Sequence, residues 1–75
     1  MKQILQFHIE KGDDYYVAQG VDLPIVTQAK TLDELTVNIR EAVDLALLGG
    51  TLKEFGFSST PSLLANFEIS RMNHA

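Results

Sequence analysis

Cysteine is absent from the 75 residues, which excludes a disulfide framework and any thiolate metal site. Such a chain suits a reducing cytoplasm, and a cytoplasmic location is the expectation. No apolar run approaches the ~18 residues of a membrane span, so no membrane partner is expected. Gln6 and His8 interrupt the segment that follows Met1, so no secretory signal is read there. No glycine-rich loop follows a strand-like segment. Gly49-Gly50 closes a helical pattern instead, at the wrong end of the helix dipole for a phosphate. Basic residues are scarce: six Lys and Arg against ten Asp and Glu give a formal net charge of −4. That balance disfavours direct DNA or RNA binding, which draws on cations laid against phosphates. It suits a basic protein partner. There is no internal repeat, low-complexity tract or linker, and the length bounds one domain, residues 1–75.

A chain this short buries only about 60% of its unfolded surface. With 45% hydrophobic residues, a homo-oligomer, dimer or tetramer, is expected.

What is present organises around residues 31–48, TLDELTVNIREAVDLALL. Thr31 and Glu34 have capping-box spacing, and Asp33 and Glu34 put negative charge at the positive end of the helix. At 3.6 residues per turn, Leu32, Leu35, Ile39, Ala42, Val43, Ala46 and Leu47 share one face, wide enough to cover a sheet. Gly49 and Gly50 supply the stop. Val37, Leu45 and Leu48 fall outside the stripe. Leu45 and Leu48 either tuck under residues 52–57 or serve as an oligomer contact.

Before the helix, residues 3–10 alternate, with Leu5, Phe7 and Ile9 on one face and Ile4, Gln6, His8 and Glu10 on the other. Lys11-Gly12-Asp13-Asp14 is turn chemistry, and residues 15–21 are rich in strand formers. Alternation sends Tyr15 and Tyr16 to opposite faces, one under the helix and one beside His8. A corner at 21–24 leads to a third strand at 25–29, with Pro24 at its start. After the helix, residues 51–57 can hold a single helical turn, and Ser58-Ser59-Thr60-Pro61 reads as a loop. Residues 63–70 alternate again, with Leu63, Ala65, Phe67 and Ile69 on one face. The sum is βββαβ, an α+β two-layer domain: an antiparallel three-stranded meander, one helix across one sheet face, and a last strand able to run parallel to the first.

The inventory for chemistry is thin. His8 reads as a solvated strand residue, and His74 sits one residue from the end. Glu10, Asp13, Asp14, Asp22 and Glu68 would make a metal-dependent hydrolase only by converging at one end of the sheet, and most occupy turn positions. No catalytic residue, metal ligand or cofactor is assigned, and the chain is expected not to be an enzyme.

The run from Asp13 to Leu47 resembles the HicB-like antitoxin domain, whose pattern is roughly G-Y-Y-V-A, P-D-L-P-G, T-x-G-x-T, then L-x-E-A and a helix containing E-A. Tyr15, Tyr16, Val17 and Ala18 match the first element, and Asp22, Leu23 and Pro24 the middle of the second. Thr27 and Thr31 match the third, and Leu32, Glu34, Glu41 and Ala42 the fourth. Val21, Ile25, Ala29 and Leu35 depart from it, so the corners at 21–25 and 29–31 form without left-handed glycines or carry strain. The resemblance implies a partial ribonuclease-H-like fold with sheet order 3-2-1-4. It implies a type II antitoxin that neutralises a small, basic, HicA-like RNA-cleaving toxin by direct binding. Family antitoxins usually carry a further C-terminal DNA-binding module; with the chain ending at Ala75, no direct DNA binding is expected. An orphan domain acting through self-assembly is the alternative. Asp13, Asp14, Tyr15 and Asp22, acidic or aromatic groups near hairpin ends, are the candidate partner-binding residues.

Overall fold

The computed structural model describes residues 2–67. Three strands, β1 (Lys2–Lys11), β2 (Tyr16–Gly20) and β3 (Val26–Ala29), precede the helix α1 (Leu32–Leu48). A single helical turn, α2 (Thr51–Glu54), and a long strand, β4 (Phe57–Phe67), follow it. The sheet order is β3-β2-β1-β4, as expected, with β1 antiparallel to β2 and parallel to β4. The architecture is therefore α+β, a mixed four-stranded sheet with one main helix against it.

Alternation in β1 works as the sequence implies. Leu5, Phe7 and Ile9 are buried, while Gln6 and Glu10 point to solvent. Cross-strand register carries that buried row outward: Ile9 faces Ala18, which faces Thr27, and Phe7 faces Gly20. Leu35, Ile39 and Val43 of α1 close over this row, with Ala46 and Leu47 packed at its margin. Leu32, assigned to the same stripe, is the first residue of α1 and is 42% exposed. Leu52 of α2 and Phe57 of β4 seal the end of the core.

The caps account for the bounds of α1. The Thr31 side-chain oxygen accepts a hydrogen bond from the Glu34 backbone N–H at 3.1 Å. At the other end Gly50 takes φ 80°, a left-handed conformation that costs glycine little. Asn38 Nδ2 donates to the Gln28 carbonyl at 3.0 Å, tying α1 to β3.

The corner after β2 is built by close approach. Val21 N–H donates to the Gln6 carbonyl at 2.9 Å, Gly20 N–H to Ile25 at 2.7 Å, and Ile25 N–H to Leu23 at 2.9 Å. This folds Leu23 into the core. A Cβ on Gly20 would lie 2.7 Å from the Leu23 carbonyl oxygen and 2.9 Å from its Cγ. Among the described residues no non-glycine has positive φ, so the departures at Val21, Ile25 and Ala29 bring no left-handed strain.

The last strand differs from expectation. Residues 58–61, read as a loop, lie within β4, which begins at Phe57; residues 68–70 of the expected strand lie outside the described residues. Turn chemistry survives there as an irregularity. Between the pairs Lys2–Phe57 and Ile4–Ser62, β1 advances two residues while β4 advances five. Ser58 Oγ accepts from Thr60 N–H at 3.1 Å inside this excursion. Pro61 is tolerated because β4 is an edge strand. From Ser62 to Phe67 the pairing with β1 is regular.

Gly20→Ala is expected to destabilise the fold by about 1–3 kcal/mol, since backbone and Leu23 must both shift. Thr31→Ala is expected to cost ~1 kcal/mol. Urea denaturation followed by far-UV circular dichroism checks both, and the larger loss belongs to Gly20→Ala.

Candidate functional site

Among the described residues no polar or charged side chain is buried, and no group of three or more His, Asp or Glu is placed to hold a metal ion. The structure offers surfaces and shallow depressions, and four of them bear on function.

The first is the β1–β2 corner. Gly12 N–H donates to the Tyr15 carbonyl at 2.7 Å, closing a tight turn. Asp13, Asp14 and Tyr15 line a depression of about 210 Å³ together with Lys11 and Lys30. The corner is thus mixed in charge, with two aspartates and two lysines around one depression and the exposed Tyr15 beside them. Tyr15 stands in this corner rather than in β2, where the alternation rule would have sent it across the sheet beside His8. Tyr16 is the ring that packs against the core. It lies 6.0 Å from the Phe67 ring, with Lys11 Nζ 5.9 Å from its centroid.

Asp22 lies elsewhere. It is exposed in the 21–24 corner, at the far end of β2 from Asp13 and Asp14. Five residues of strand separate the two corners by ~17 Å. The four candidate residues therefore form two sites, three residues at one end of the sheet and one at the other. Turn composition marked both corners but carried no signal of their separation, which an extended β2 imposes. Of the acids proposed to converge, Asp13 and Asp14 share the first corner, Glu10 is on the open face, and Glu68 lies outside the described residues.

The second surface is the sheet face away from α1. His8 Nε2 and Glu10 Oε1 are 3.4 Å apart there, along one side of β1. Gln19 faces His8 across the β1–β2 ladder, so this area is largely polar. Toward the Asp22 corner it turns apolar. Leu64 pairs with Gln6 on one side of β1, Val21 donates its N–H to the Gln6 carbonyl on the other, and Ile4 lies two residues before Gln6; all three apolar side chains are exposed.

The third is a groove between α1 and β4. α1 approaches β2 and β3 closely and leaves β4 to one side. Leu63 and Phe67 of β4 are consequently 41% exposed, although register places them on the helix side, opposite Leu5 and Ile9. Ile39 and Arg40 form the helix wall, Leu63 and Ala65 the strand wall, of a depression of about 210 Å³. A continuation of about 230 Å³ runs along Val43 and Leu47 to Pro61. The alternation of 63–67 named the right face, and Ile69 lies outside the described residues; only the placement of the helix shows that face to be uncovered.

The fourth is the outer side of α1. Leu45 and Leu48 are 70% and 85% exposed. They do not tuck under residues 52–57; Leu47 and Leu52 occupy that space instead. Leu45→Gln and Leu48→Gln are each expected to change stability by less than ~0.5 kcal/mol in the monomer, as solvated positions do, on urea denaturation at low protein concentration. Compared with protein-family models, with curated proteins and with solved structures, the chain finds no match.

Proposed function

We propose that this chain is a protein-docking domain of the HicB-like antitoxin kind, without a catalytic centre of its own. It acts by binding and neutralising a small, basic, HicA-like RNA-cleaving toxin. The observation that carries the reading is the ordered motif set from Tyr15 to Ala42, read together with a βββαβ sheet of order β3-β2-β1-β4. The acidic balance adds to it: a net charge of −4 speeds encounter with a basic partner. The surfaces add to it as well. Asp13, Asp14 and Tyr15 set two carboxylates and an aromatic ring beside Lys11 and Lys30 at one corner, and Asp22 is exposed in the other. An aromatic anchor beside charged groups is a recurrent composition of protein interfaces. A toxin that acts on cellular RNA places the pair in the cytoplasm.

Co-expression with any small basic protein found to be encoded next to this chain tests the reading. The expected result is a stable complex and relief of that protein's toxicity. Asp13→Lys with Asp14→Lys should weaken the complex by about tenfold, ~1.4 kcal/mol, and reduce its salt dependence, measured by calorimetry at two ionic strengths. A neighbour that neither binds nor is neutralised overturns the antitoxin role.

A further inference from the structure

The two edges of the sheet are built differently. β3 is four residues long, and the Asn38 side chain already occupies its Gln28 carbonyl. That edge is short and partly covered, two of the devices by which native sheets avoid pairing with other chains. β4 has eleven residues and, among the described residues, β1 as its one sheet neighbour. Its first part is irregular, with Pro61 lacking an N–H, and is a poor template. Its second part, Ser62–Phe67, is regular and carries Leu63, Leu64 and Phe67, each at least 41% exposed.

Charge identifies the occupant. Phe57–Phe67, FSSTPSLLANF, has no ionisable side chain in a chain of net charge −4. Two copies repel one another over most of their surface, and along this edge they do not. A basic or acidic partner finds no counter-charge on the strand itself. A second copy brings the same uncharged, apolar segment, which is what a two-fold interface requires.

We propose that the protein forms a two-fold dimer in which β4 pairs antiparallel with β4 of a second copy, joining two sheets into one of eight strands. Symmetry and alternation restrict the register. An axis perpendicular to the sheet keeps both α1 helices on the same side, and only residues on the same face then pair. Centring the pair on Ala65 sets Leu63 of each copy against Phe67 of the other. Those are the two helix-side residues that α1 leaves uncovered, so this register closes both grooves at once. Leu64 then meets Asn66 on the opposite face. The paired stretch is short and lies at the low end of specific interfaces, below ~1,200 Å², so the dimer dissociates on dilution. It stands independently of the toxin reading.

Sedimentation equilibrium over a wide concentration range is the test. The mass of the wild type is expected to rise from 8.3 kDa toward twice that value. Leu63→Lys and Phe67→Glu, each with wild-type circular dichroism, should remain monomeric alone. Mixed together they should form a heterodimer, because position 63 of one meets position 67 of the other. If either variant fails to fold, hydrogen exchange of the wild type decides: amides of 62–67 should slow as concentration rises. A wild type that stays monomeric at millimolar concentration overturns the proposal. So do folded variants that retain the dimer, exchange in 62–67 that ignores concentration, or a dimer abolished by Leu45→Glu and Leu48→Glu but not at β4. Asp13→Lys with Asp14→Lys should leave the dimer in place, or strengthen it as the net charge of −4 is removed, while the toxin complex weakens, which separates the two outcomes.

Discussion

One buried row, Leu5, Phe7 and Ile9 of β1, is the contact on which the rest of the molecule depends. β1 is central, paired to β2 on one side and β4 on the other, and its inner face lies under α1. Removing Phe7, which is fully buried, would empty the middle of the only described core. Truncation of such a side chain to Ala typically costs 3–5 kcal/mol, a large share of what a domain this small possesses. Every outer feature is placed by its register to that row: Tyr16 through Lys11, Leu23 through Gly20, and Leu63 through Leu5.

A second constraint is the ratio of one helix to four strands. A helix with side chains is about 10–12 Å across, whereas strands lie ~4.8 Å apart, so one helix covers two or three of them. α1 is drawn to the β2–β3 side, where Asn38 grips Gln28 and Ala29 is buried at the approach to the helix. β4 is left with its backbone paired on one side and its helix-side residues half open. The same arithmetic leaves the other sheet face bare. Docking surfaces are therefore a consequence of the fold's size, and the absence of buried polar groups among the described residues means its interior offers no desolvated acid or base.

Much of the architecture could be read from local pattern. Alternation over 3–10 located β1 and its inner face; the Thr31-x-x-Glu34 spacing and the glycine pair bounded α1. The failure at 58–61 has a definite cause. Two serines, a threonine and a proline favour a turn locally, and they make one, but within a strand whose pairing to β1 resumes on either side. For Leu45 and Leu48 only the tucked alternative fell: helical angle placed them on a flank, but no local rule says what lies beyond a flank.

The candidate site divides along the same line. Residue types marked the corners at 11–15 and 21–24, because Asp, Gly and Pro punctuate chains through their own backbone preferences. Distance between those corners was set by the extended β2 between them, and the groove beside β4 by how far α1 leans across the sheet. Determined by the sequence alone were the elements, their order, the inward face of each and the charge the surface carries, all properties of neighbouring residues. Decided only by the tertiary structure were which edge stayed open, which apolar residues remained uncovered and which charges came together. These depend on packing between segments distant in the chain, and period and propensity hold no information about that.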